Sequence, residues 1–281
     1  MLYVSLVKYL GAIAAGYALG KALRRRPPPW LFTAVVTVLV FFVAANASEV
    51  VLRNVGGFLF VSSIYALALV LASATLGSAL DRGGAASSAQ RPAITLYVVF
   101  ALAAGFAAGS VAKLDYSSAV DPLLIVLLLA AGADMAGVGV RFEISMLAAP
   151  AISLAATAVV APLFTLLFNI TPAVAFGMGW YSFTGPYLAA AGDAAGGAYG
   201  LLVNFLREQL TFVLAPLLAR RFGKVGVLAM GGATTMDNTL PLYTALYGSS
   251  FSIYAFANGV VLTVLVPIIV PLIHQIYTNI V

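Results

Sequence analysis

The stretch Gly177-Met-Gly-Trp-Tyr-Ser-Phe-Thr-Gly-Pro186 (GMGWYSFTGP) interrupts a chain that is otherwise almost entirely aliphatic. Glycine and proline release the backbone from regular helical geometry. At membrane depth, irregular backbone is tolerated only where protein or a water-filled cavity satisfies its N–H and C=O groups. The fold turns on whether this stretch crosses a bilayer or enters it and returns.

The surrounding composition requires a bilayer. The chain has 281 residues, 63% hydrophobic and 8% charged, with a mean hydropathy of +1.06. Such values exclude a water-soluble globule. Crossing a bilayer as a helix takes about 20 apolar residues. Apolar runs fall at 2–22, 30–52, 57–80, 93–113, 121–140, 145–168, 172–191, 198–220, 225–247 and 251–277. The first twenty residues carry no cleavage site behind a basic region, so they are expected to stay as the first span.

Charge sets the topology. Basic residues cluster at Arg24-Arg25-Arg26, Arg82 to Arg91, Arg141, and Arg220-Arg221 with Lys224. The positive-inside rule places these loops together in the cytoplasm. They share one side only if 172–191 does not cross completely. That segment is therefore expected to be re-entrant, and so is 225–247, which contains Gly231-Gly-Ala-Thr-Thr-Met-Asp-Asn-Thr-Leu-Pro241 (GGATTMDNTLP). The expected fold is an all-α polytopic membrane protein of about eight transmembrane helices plus two re-entrant segments, with both termini outside. A net charge of +5 from short loops orients the chain and does not imply nucleic acid.

Internal similarity points to inverted repeats. AAGYALG (14–20) resembles AAGFAAG (103–109), and AANA (44–47) resembles AAGA (130–133), at offsets of 89 and 86 residues. Three spans separate equivalent points, and an odd number inverts the second copy. Met178-Gly179 likewise matches Met230-Gly231, and LAPLL (214–218) matches LVPII (265–269). The expected units are 1–85 and 86–170, of three spans each, and 171–281, comprising two inverted units of re-entrant segment plus span. The pairs Gly16/Gly20 and Gly105/Gly109 have the spacing that lets helix backbones approach closely.

The chemistry-bearing residues are few. Arg207 and Glu208 lie near the middle of an apolar run, where an ionised side chain costs about 2.5 to 3.5 kcal/mol or more. Helical spacing puts Asn204, Glu208 and Thr211 on one face and rotates Arg207 about 100° away. Either the two charges fix packing against other helices, or Glu208 faces a solvated cavity and accepts a cation or proton. Thr235, Asp237, Asn238 and Thr239 could cap a half-helix, or help form a substrate site where half-helix ends meet. Such ends offer N–H groups to an anion and C=O groups to a cation, which suits a zwitterion. Tyr181, Ser182 and Thr184 belong to the first break, where Trp180 and Tyr181 are candidate substrate contacts. Glu49 and Asp134 are intramembrane acids with either an interfacial or an ion-coupling role. Asp193 reads as a turn residue. Lys8, Lys113, Asp115, Asp121 and Glu143 read as interface anchors, and His274 is assigned no function. With no cysteine and one histidine, neither a thiolate nor a histidine metal site is expected, nor any cofactor.

Taken together, GWYSFTGP (179–186), NFLREQL (204–210), GGATTMDNTLP (231–241) and LVPIIVPL (265–272) resemble the motifs of the lysine exporter LysO family. The resemblance implies an inner-membrane exporter of L-lysine and lysine analogues that depends on intramembrane acids. The acid of the family's Arg-Glu pair corresponds to Glu208. A second, late in the second span, falls nearest Glu49, where AANASEVVLRN (44–54) departs from the family's Gly/Leu-rich stretch ending in Asp. The expected function is secondary lysine export by proton antiport. Glu208 with Asp237 and one of Glu49 or Asp134 would meet ammonium groups or protons, and Arg207 or backbone N–H groups would hold the carboxylate. A transporter of a small organic anion or another amino acid, built on Arg207, is the alternative. An intramembrane aspartyl protease is a remote one, since Asp134 and Asp193 lack the Gly-x-Gly-Asp pattern. No enzymatic activity is expected.

Overall fold

The computed structural model describes residues 2–24, 27–80, 94–112, 114, 116–136, 147–247 and 251–280, and among these only helices and turns form. Lys113, Asp115, Arg82, Arg91, Arg141 and Glu143 lie outside the described residues, as do Arg25 and Arg26. In chain order the α-helices are α1 (Leu2–Leu23), α2 (Pro29–Leu52), α3 (Val55–Gly77), α4 (Ile94–Val111), α5 (Val120–Ala136) and α6 (Ala148–Phe168). Then follow α7 (Tyr181–Ala190), α8 (Ala194–Leu218), α9 (Lys224–Gly231), α10 (Leu240–Tyr247) and α11 (Ser252–Ile280).

Among the described residues four helices, α3, α6, α8 and α11, are long and apolar enough to cross a membrane. Their ends follow local rules. Asn54 caps α3 by accepting the Gly57 N–H, and Asp193 caps α8 through the Gly196 N–H, so α8 starts earlier than its apolar run suggests. Asn169, with φ +53°, ends α6 in the left-handed conformation that asparagine tolerates. Along α6, Ser153, Thr157 and Phe164 are buried while Val159, Leu163 and Leu166 are exposed. Apolar residues facing outward around a partly polar interior are what hydrocarbon, rather than water, requires.

The 172–191 run is a 3-10 helix Pro172–Gly177, a break at Met178–Trp180, and the ten-residue α7. The 225–247 run is α9, a 3-10 helix Gly232–Met236, and α10. Proline and glycine interrupt both apolar runs before either reaches the length of a full span.

Small residues bring the helices together. Gly16 and Gly20 of α1 abut Leu129 and Ala133 of α5, while Gly105 and Gly109 of α4 abut Phe41, Ala44, Ala45 and Ser48 of α2. A Cβ at any of these glycines would overlap the neighbouring helix. Lys8 and Asp121 form an ion pair at 2.6 Å that ties α1 to α5, and the Tyr9 hydroxyl donates to the same carboxylate at 2.8 Å. Gly77 of α3 packs on Gly226 of α9, and Gly185 of α7 packs on Gly197 and Leu201 of α8. α8 packs on both interrupted segments, on α7 through Gly197 and on α9 through Arg207.

Candidate functional site

Each break is a turn built for glycine. Met178 and Gly179 follow one another at φ +48° and +91°, and Gly232 has φ +60° with ψ −132°. The last conformation is essentially confined to glycine. The two breaks touch: the Ala233 N–H donates to the Met178 carbonyl at 2.9 Å. A Cβ on Gly232 would occupy the same space as that carbonyl oxygen.

Two asparagines hold the breaks. Asn204 of α8 accepts the Gly179 N–H at 2.7 Å and donates to the Val174 and Gly200 carbonyls, each at 2.8 Å. Asn258 of α11 donates to the Gly232 carbonyl and to the Thr235 hydroxyl, each at 2.9 Å. Sequence reasoning singled out Asn204 but missed Asn258. Its signal was available, since a lone amide within FANGVV in a 29-residue apolar helix needs a buried partner. Tyr243 was missed as well; its hydroxyl accepts the Gly231 N–H and donates to the Val227 carbonyl.

Arg207 and Glu208 diverge as their 100° separation requires. Arg207 is fully buried, and its Nε and Nη2 donate to the Met230 and Ala229 carbonyls, each at 3.0 Å. These are the last carbonyls of α9, which have no intrahelical partners and carry the negative end of its dipole. The cation-accepting C=O groups expected at this break are thus already covered by a guanidinium. Glu208, 1% exposed, accepts from the Asn238 Nδ2 at 3.1 Å and from the Gln209 Nε2 at 3.2 Å. Tyr181, Asp237 and Asn238 face one another across the same small cavity. Among the described residues the ion pairs are Lys8–Asp121 and Arg53–Glu49, and none involves Glu208.

A cavity lies between the breaks, lined by Trp180, Tyr181 and Ser182 from one and by Thr234, Asp237 and Asn238 from the other. Its free volume of about 20 Å³ holds a single water. The structure thus brings together Tyr181, Ser182, Asp237 and Asn238, with Glu208 directly behind Asn238. Thr235 and Thr184 are buried close by, bonded to Gly232 and Trp180 carbonyls. Glu49 is elsewhere, exposed and paired with Arg53 at 2.6 Å. Asp134 is on α5, and its side chain lies outside the described residues. Among the described residues no group of His, Asp or Glu is placed to hold a metal.

The family model described as "Lysine exporter LysO" matches residues 98–274, a segment that contains both breaks and α8. Over 105 residues the chain is 34% identical to the lysine exporter LysO of Escherichia coli, covering 37% of this chain and 35% of that protein. Over 108 residues it is 31% identical to a Haemophilus influenzae protein provisionally named a lysine exporter, covering 38% of this chain and 55% of that one. The alignments thus span about a third and about half of the lengths of these curated relatives. No solved structure matches. With a family match across more than half its length and a core of apolar helices, the chain belongs to the lysine exporter LysO family of multi-pass membrane transporters.

Proposed function

We propose that the protein exports L-lysine and lysine analogues across the cytoplasmic (inner) membrane by proton antiport. The observation that carries this reading is Glu208: a carboxylate buried among amides and a phenol, with no cation paired to it among the described residues. Holding a carboxylate away from water without a counter-ion is costly. Such a group is stabilised by binding either a substrate ammonium or a proton, and exchange between the two couples efflux to proton entry. Asp237, Asn238, Tyr181 and Ser182 complete the substrate site, and the N-terminus of α7 is the group of suitable charge for the carboxylate, since Arg207 is engaged by α9. Asp237 stands with Glu208 as a substrate contact; of the acids expected to serve coupling beside Glu208, Glu49 has a partner of its own and the side chain of Asp134 lies outside the described residues.

The architecture we infer is eight spans and two re-entrant segments, organised as units 1–85, 86–170 and 171–281, with both termini outside. Reciprocal packing of the similar segments supports the inverted repeats: 14–20 lies on 130–133, and 103–109 lies on 44–47. Inverted repeats would relate these two contacts by an approximate two-fold axis. The central cavity has room for one water, so lysine binding requires the breaks to separate. Organic-anion transport built on Arg207 is less well supported, because two of its nitrogens are engaged by carbonyls of α9.

Efflux from lysine-loaded proteoliposomes tests the reading. Glu208→Gln, which keeps shape and one hydrogen-bonding oxygen but cannot titrate, is expected to lower lysine efflux at least about tenfold, on the order of 1.4 kcal/mol. Transport by this variant at the unaltered rate would sink the assignment.

A further inference from the structure

A second, larger cavity opens at the opposite end of α7. It encloses about 420 Å³, within the range of small-molecule sites. Three passages of chain meet there: the turn after α6, with Asn169 and Thr171; the α7–α8 turn, with Asp193; and the end of α11, with His274 and Tyr277. By the positive-inside assignment all three lie outside. The two cavities are separated by α7, whose ten residues span about 15 Å.

An aromatic column fills the interval. Trp180, on the central cavity, lies 5.3 Å from Phe183, which stacks on Tyr187 at 5.8 Å; Tyr187 meets the His274 ring edge-on at 6.3 Å. Tyr9 of α1 packs edge-on against both Phe183 and Tyr187, at 5.8 and 6.0 Å. His274 therefore stands between the column and the outer cavity. It is 7% exposed, and its Nδ1 is 3.4 Å from the Thr171 hydroxyl. Among the described residues its Nε2 has no hydrogen-bonding partner. Asp193 spends Oδ1 on capping α8, and among the described residues Oδ2 accepts no hydrogen bond.

We propose that this outer cavity is a second binding site for the exported amino acid, in which the Asp193 carboxylate receives the side-chain ammonium. The inference rests on the lysine-export reading. The cavity supplies volume, Asp193 supplies a charge whose second oxygen is not committed, and Tyr199 and Tyr277 supply rings that attract an ammonium. His274, deeply buried with an uncommitted nitrogen, offers a further polar contact. Lysine released past the aromatic column would pause here before leaving, and external lysine would refill the same site.

The experiment measures efflux of labelled lysine from cells producing the full chain, as a function of external lysine or external norleucine. Asp193→Asn removes the charge, yet asparagine caps helices as well as aspartate does. Asp193→Ser, also a good cap, provides a second neutral variant, and both are checked for monodispersity after purification. External lysine is expected to alter efflux in the wild type with a half-effect concentration that rises about fivefold or more in both variants, the measure of one partly exposed ion pair. Norleucine, which lacks the terminal ammonium, is expected to have no effect. An unchanged half-effect concentration in both variants, or an equal effect of norleucine, overturns the outer site and leaves lysine export standing. Wild-type cells that release lysine no faster than cells lacking the chain overturn both.

Discussion

At the scale of single residues, the decisive pair is Arg207 and Glu208, neighbours in sequence with separate surroundings. Arg207 terminates α9, and its two bonds to the Met230 and Ala229 carbonyls use the fork geometry of a guanidinium. A lysine there keeps the charge but reaches as a single point. The Ala229 carbonyl also accepts from the Ser153 hydroxyl, so Arg207→Lys is expected to act mainly by leaving the Met230 carbonyl without its partner, at a cost of about 1 to 3 kcal/mol, and to lower both the midpoint of thermal unfolding in detergent and lysine efflux. An unaltered midpoint with unaltered efflux would show that charge alone matters at this position. The face shared by Asn204, Glu208 and Thr211 was legible because helical spacing is a property of the sequence itself. The partner of Arg207 was not. Backbone carbonyls at an interrupted helix end carry no side-chain signature, so nothing in NFLREQL or GGATTMDNTLP announces their pairing.

At the scale of elements, both glycine-rich breaks were legible, since glycine, proline and hydroxyl residues within apolar runs exclude an ordinary span. What could not be read was that the breaks bond to each other. The Ala233 N–H to Met178 carbonyl contact joins residues 55 positions apart, and only the tertiary arrangement of α7, α8 and α9 creates it. Gly232 therefore answers to two constraints at once, a conformation restricted to glycine and a carbonyl where a Cβ would stand. Gly232→Ala is expected to cost about 1 to 3 kcal/mol from backbone strain alone and more from the collision. Its folded yield and its efflux should both fall sharply. Gly56→Ala, with no atom near the added Cβ, is expected to behave as wild type. Equal yields for the two variants would show that the breaks are looser than this contact requires.

For the whole molecule, the side of Arg220, Arg221 and Lys224 separates two topologies. If 172–191 crossed the bilayer, these residues would lie opposite Arg24; if it enters and returns, they lie on the same side. We propose return, because α7 is ten residues, about 15 Å, roughly half of a 30 Å hydrocarbon core. It also accounts for the outer cavity, which gathers Asn169, Asp193 and Tyr277 at one end of the molecule although the chain passes through more than 20 residues between each. A chain without cysteine allows a direct test, since any introduced thiol is the sole target of a maleimide. Ala22→Cys, Arg221→Cys and Thr278→Cys all place that thiol at exposed positions. In intact cells an impermeant maleimide is expected to label Thr278→Cys at once, and Ala22→Cys and Arg221→Cys only after the membrane is opened. Labelling of Arg221→Cys from outside, with Ala22→Cys still protected, would make 172–191 a true crossing. It would also put Asn169 and Asp193 on opposite faces of the membrane, which the cavity they line together does not allow, and so would overturn the outer site.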